Sequence, residues 1–98
     1  MATWKKVCEL LGTKVEGLGG GPVGILIKHP TKEEWFQVCD IPGTVSFTVD
    51  DSDGNNVYNH IGNTALESWS DEALAYIICG WAKKYGYTLG IPAAWTRR

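Results

Sequence analysis

The sequence predicts an α+β fold: a four-stranded antiparallel meander with an N-terminal and a C-terminal helix packed on one face, in the order αββββα. Three observations lead there. From Trp69 to Tyr87 the apolar residues Trp69, Ala73, Leu74, Ile77, Ile78, Trp81 and Tyr85 recur every three or four positions, which places them on one stripe of a helix. Between residues 23 and 61, short runs of alternating apolar and polar residues are separated by turn signals. Those turns are too short for parallel crossovers, so the strands must pair as hairpins and leave the helices to cover one face.

Each element follows in order. Ala2 to Leu11 forms a first helix with Trp4, Val7, Cys8 and Leu11 on one side and Lys5, Lys6 and Glu9 on the other, ended by Gly12. It is too short to be stable without docking on the rest of the domain. Thr13 to Gly24, rich in glycine and carrying Pro22, reads as a loop or hinge. Val23 to His29 alternates as a strand, and His29-Pro30-Thr31-Lys32 turns the chain. Glu34 to Ile41 has large residues on both faces (Trp35, Phe36, Val38), which suits a central strand, and Pro42-Gly43 makes the next turn. Thr44 to Asp50 alternates most regularly, with Val45, Phe47 and Val49 on one face. Asp51-Ser52-Asp53-Gly54-Asn55 supplies hairpin residues that tolerate positive φ, and Asn56 to Ile61 returns with Tyr58 and His60 on the side opposite Val57 and Ile61.

The last helix carries its own punctuation. Ser70 is its N-cap, Asp71 and Glu72 suit the positive end of the helix dipole, Lys83 and Lys84 the negative end, and Gly86 the left-handed stop. Beyond it, Tyr87-Thr88-Leu89 reads as a short extra edge strand or an extended tail, with Pro92 limiting further pairing.

At 98 residues the chain is one domain, with a core but no room for a separate catalytic unit. Its 44% hydrophobic and 20% charged content is that of a folded protein. A net charge of −2 gives no bulk attraction to phosphate backbones, so nucleic-acid binding would require Lys5, Lys6, Lys83, Lys84, Arg97 and Arg98 to converge. The three cysteines are far apart and form neither a disulfide framework nor a zinc motif, and no apolar leader or spanning run is present. These features point to a reduced, cytoplasmic setting. Five Trp residues are a large load for so small a core, so any that the core does not absorb becomes a contact residue.

Stretches that resemble chemistry fall short of it. Gly19, Gly21 and Gly24 spell G-x-G-x-x-G, but a helix precedes and a strand follows, the reverse of a dinucleotide site. Asp40-Ile41-Pro42-Gly43 has a D-x-x-G shape with no phosphate loop to serve. The Asp50–Asp53 run lacks both end ligands of a calcium loop. Cys39 with His29 or His60 would make a nucleophile only if folding brought them within hydrogen-bonding reach and supplied an orienting group.

The residues therefore favour a small non-catalytic binding or regulatory protein with a protein partner and no resident cofactor or metal. Size and the lack of a reaction-competent constellation fit accessory and inhibitor proteins such as those encoded by phages and mobile elements. With Ile25, Ile27, Val45, Phe47 and Val49 lining the helix-covered face, the expected working surface is the opposite sheet face. Its candidates are Trp35, Phe36, Tyr58 and His60, with Asp51 and Asp53 as a polar rim. The same surface would serve a homodimer. The rival classes are a ligand-binding or enzymatic domain using the Gly17–Gly24 loop or Cys39, and a nucleic-acid module using the terminal Lys and Arg residues.

Overall fold

A computed structural model of the chain describes residues 1–19 and 21–89. In chain order they form α1 (Trp4–Leu10), β1 (Glu16–Gly17), β2 (Val23–Lys28), β3 (Glu34–Cys39), β4 (Ser46–Asp51), β5 (Asn56–His60), a single 3-10 turn (Leu66–Ser68) and α2 (Asp71–Lys84). The α+β class, the antiparallel pairing and the two helices are as expected. The sheet, however, has five strands in the order β1-β2-β3-β4-β5, where four were expected.

The additional strand comes from the glycine-rich segment. Glu16 pairs with Gly24 and Gly17 with Val23, and the Leu18 N–H donates to the Pro22 carbonyl across the tip. Gly19 and Gly21 adopt φ values of 81° and 109°, so these glycines turn a hairpin instead of leaving a hinge. Gly24 has a different role: a Cβ there would collide with the Val38 carbonyl of β3. Of the two readings of Tyr87-Thr88-Leu89, the edge strand is not formed. Tyr87 to Leu89 has no regular structure, yet Tyr87 and Leu89 are buried, with the Tyr87 ring set edge-on to His29 at 5.0 Å and tilted on Phe36 at 5.5 Å. Pro92 lies outside the described residues.

Both helices are closed by side chains and glycines at the places their chemistry demands. Thr3 caps α1 and Ser70 caps α2, each accepting from a first-turn N–H. At the other ends, Thr13 N–H bonds to Cys8 O with Gly12 N–H on Glu9 O, and Tyr87 N–H bonds to Ala82 O with Gly86 N–H on Lys83 O. These are paired Schellman bonds around a left-handed glycine, with φ of 69° at Gly12 and 88° at Gly86. Gly86 is doubly constrained, because a Cβ there would sit 2.9 Å from His29 Nε2.

One sheet face carries the core. Ile25, Phe36, Val38, Val45, Phe47 and Val49 pack with Val7, Cys8, Leu11, Leu74, Ala75, Ile78 and Ala82 from the helices. The buried stripe of α2 is thus turned from the expected one. Ala73 is exposed, and Ile77, Trp81 and Tyr85 fall on a half-buried flank. Burial is complete at Ile25, Phe36, Val38 and Val49 and runs out at β5, every residue of which is exposed.

Tyr58 and His60 lie on the helix face of the sheet and not on the far face. The reason is one residue. Asp51 pairs with Asn55 at the hairpin, but a bulge beside Asp50 inserts an extra residue in β5, so that Val49 faces Tyr58 and Phe47 faces His60. Without the bulge Val49 would face Val57, and every β5 side chain would point to the other side.

Candidate functional site

The outer flank of α2 and the end of β5 meet in a run of aromatic rings. His60 stacks on Phe47 at 5.5 Å and meets Trp81 at 5.1 Å; Tyr58 meets Tyr85 at 4.6 Å; Trp81 and Tyr85 each contact Phe47, at 5.1 and 5.7 Å. The core pins these rings from behind while their outer edges stay accessible, with Tyr58 48% exposed. Where β5 leaves the sheet, the chain stays close to β4. Gly62 N–H donates to Ser46 Oγ, Val45 N–H donates to Thr64 O, and a Cβ on Gly62 would collide with the Val45 carbonyl. The 3-10 turn then lifts the chain to α2.

Between this connection and α2 lies a half-open groove of about 260 Å³, lined by Val45, His60, Gly62, Asn63, Thr64, Trp69, Ile77 and Trp81. Its walls are mainly apolar. The indole N–H of Trp69 is buried and has no acceptor among the described residues. On the β5 side no charged residue occurs between Asp53 and Glu67, while on the α2 side Lys84 Nζ lies 5.7 Å from the centre of the Tyr85 ring. An arrangement of fixed rings, a shallow apolar slot and few polar groups recognises by shape and apolar contact.

Comparison with known protein families, with curated proteins and with solved structures gives no match for this chain. The site must be read from its own geometry.

The expected site residues are dispersed. Tyr58 and His60 are together at this edge. Phe36 is fully buried in the core, so it cannot meet a partner. Trp35 is on the far sheet face, half-buried, with Lys28 Nζ 5.7 Å from its ring centre. That far face is a polar chain and not an aromatic platform: Gln37 Nε2 donates to Asp50 Oδ2 at 2.8 Å, Asn56 Nδ2 to Asp50 Oδ1 at 3.1 Å, and Asn59 Nδ2 to Asn56 Oδ1 at 3.2 Å. Asp51 is occupied in shaping the hairpin, its Oδ1 accepting from the N–H groups of Asp53 and Asn55. Asp53 stands exposed at the tip.

The rival constellations do not assemble either. Cys39 pairs with Ser46 at one end of β3, while His29 sits beside Glu34 at the other end and His60 is on the opposite face. Burial pushes the Cys8 thiol up to about 11 and raises Cys79 as well, away from the thiolate that nucleophilic work needs. Among the described residues no group of three His, Cys, Asp or Glu side chains could hold a metal ion, and no helix is long and apolar enough to cross a membrane. Thr3 N–H donates to Asp71, so Lys5 and Lys6 stand at the start of α2, whereas Lys83 and Lys84 end it about 20 Å away. Arg97 and Arg98 lie outside the described residues.

Sequence reading singled out neither Trp69, Ile77 and Trp81 as a groove nor Gly62-Asn63-Thr64 as its far wall. The available signal was the surplus of Trp over what so small a core can enclose, together with the uncharged stretch before Glu67.

Proposed function

We propose that this is a small non-catalytic binding protein that takes a protein partner against the side where β5, the 62–69 connection and α2 meet. The observation that carries the reading is the apolar groove between Trp69, Ile77 and Trp81, flanked by the exposed rings of Tyr58 and His60. A small-molecule site encloses most of its ligand. This slot is half open and suits one large apolar side chain presented by a partner whose backbone stays outside. Trp and Tyr at such a position are the residues that dominate protein-binding energy, because they offer large rigid area at little entropic cost. The charge-free 54–66 wall favours a partner segment that is itself uncharged where it meets that wall.

The test fills the slot. Ile77→Trp places an indole in the groove from the α2 side without altering β5. Tagged wild-type and Ile77→Trp chains are expressed in the native host, captured and compared by mass spectrometry after thermal unfolding has shown both to be folded. The expected result is a partner retained by the wild type and lost by the variant. Equal capture by both would reject the groove as the binding site.

A further inference from the structure

The uncharged edge of β5 has a property that the groove does not explain: it is complementary to itself. The Asp51 N–H donates to Asn55 O at one end of the β4–β5 ladder, and Val45 N–H donates to Thr64 O beyond the other. Alternation along an antiparallel pair then makes Val49–Tyr58 and Phe47–His60 the bonded pairs, with the backbone groups of Tyr58 and His60 turned toward β4. The N–H and C=O groups of Asn59 therefore point away from the sheet, those of Ile61 follow the same alternation past the last ladder pair, and among the described residues nothing pairs with them; Val57 is the extra residue of the bulge, where the alternation is broken. Exposed edges of soluble proteins are ordinarily guarded by Lys, Pro, an inward charge or a bulge. β5 has a bulge at its hairpin end but no Lys, Pro or inward charge along Tyr58, Asn59 and His60, and Ile61 beside it is 81% exposed.

We infer that β5 pairs with β5 of a second copy of this chain, antiparallel about a two-fold axis at Asn59, joining the two sheets into one. In that register Asn59 faces Asn59 of the second copy as a doubly bonded pair, Val57 faces Ile61 of the second copy, and Tyr58 faces its His60. Every cross-strand pair then matches in kind: amide with amide, aliphatic with aliphatic, ring with ring. Centring on Tyr58 or on His60 instead would set Val57 or Ile61 against an asparagine. Two-fold pairing repeats each contact, so a charge on this strand would be met twice, and the charge-free stretch avoids that repulsion. Tyr58 of the second copy also comes beside His60 near the lip of the groove. The pairing rests on the reading of this side as a binding surface, supplies what covers its edge, and leaves the groove to another partner.

Sedimentation of the full chain over a concentration series tests it. The wild type is expected to be a dimer at millimolar concentration that dissociates on dilution, because one strand edge with its flanking side chains is a small interface. Asn59→Pro removes an N–H that β4 does not use and puts a ring in the way of the second copy, so the variant should fold and sediment as a monomer. Val57→Lys and Ile61→Glu should each weaken the dimer about tenfold, since symmetry doubles each cross-strand loss. Mixing the two should restore a heterodimer in which the lysine introduced in one chain faces the glutamate introduced in the other. A wild type that stays monomeric throughout, an Asn59→Pro protein that still dimerises, or a mixture no tighter than the single variants would each overturn the inference. If Asn59→Pro fails to fold, the mixing experiment decides alone. Capture by the groove is read below the dimer concentration, so loss of one property does not mimic loss of the other.

Discussion

The two ends of the helix-covered sheet face both turn large side chains toward the helices and end in different states. Over β2 and β3, Ile25, Phe36 and Val38 are inaccessible to water, closed by Leu11, Leu74 and Ile78 from above and by Tyr87 folding back beneath Gly86. Over β5, Tyr58 and His60 face the same way but lean only on Phe47 and the flank of α2, and their outer edges stay in solvent. The difference arises from coverage. α1 packs on β2 and on α2, while the β5 end has only the flank of one helix. The closed end supplies the stability that lets the open end expose rings and an unpaired strand.

Truncation should separate the two ends most sharply. Phe36→Ala is expected to cost about 3–5 kcal/mol, the range for a large aromatic removed from a closed core. Trp81→Ala, at the half-buried flank, should cost about 2 kcal/mol, because solvent already reaches the space it leaves. Urea midpoints of the two variants measure the gap. Equal midpoints would mean that the open end holds the fold as firmly as the closed one. Next in size, Gly86→Ala should cost about 1–3 kcal/mol, combining a left-handed residue with a Cβ pressed on His29. Its unfolding temperature is the readout, and an unchanged value would mean that the chain closes equally well without the Schellman turn.

Alkaline pH should act on the closed end. Burial raises Cys8 to about 11, with Glu16 adding to it, and raises Tyr87 to about 12, with Glu34 adding to it. Both groups are neutral when folded and ionise more readily in the unfolded chain. Their contribution is therefore complete below the ordinary values of 9.0 and 10.0 and is lost as pH climbs through the folded ones. Urea midpoints taken near neutrality and at about pH 10.5 should fall with pH, and Cys8→Ala should flatten that fall while lowering the neutral baseline. A midpoint independent of pH would contradict the burial of both groups.

The parts legible in the sequence were those fixed by local chemistry. Ser70, Gly86 and the 3.6-residue period define α2, and Val45, Phe47 and Val49 define an inward face, because caps and periodicity depend on neighbours a few positions away. What escaped depended on register or on three-dimensional coverage. Gly19 and Gly21 read equally as a hinge or as the tip of a hairpin until Glu16 has Gly24 to pair with. The face of Tyr58 turned on one bulged residue that the Asp51–Asn55 turn does not announce. Phe36 and Trp35 are adjacent in a strand with large residues on both sides, and only the packing of α2 says which is core. The groove joins Val45 and Gly62 to Trp69, Ile77 and Trp81, an association that no spacing encodes.

The smallest effect on stability should accompany the largest on binding. Tyr58→Ser together with His60→Gln trims two rings that are exposed in β5 and whose backbone pairing with Val49 and Phe47 remains intact. Side chains that solvent already reaches return little on burial, and cross-strand pairs contribute only a few tenths of a kcal/mol each, so the double variant should lose about 1 kcal/mol or less. Recognition draws on a different property. A partner excludes water from the whole outer edge of Tyr58 and His60 at once, against rings that Phe47, Trp81 and Tyr85 hold rigid, so the area that contributes least to folding contributes most to binding. Urea unfolding and partner capture on the same preparation provide the measurement. A fold within about 1 kcal/mol of wild type with capture abolished is the expected pair of results. Capture at wild-type level from a folded double variant would remove Tyr58 and His60 from the interface and leave the groove walls on α2, tested by Ile77→Trp, as its remaining support.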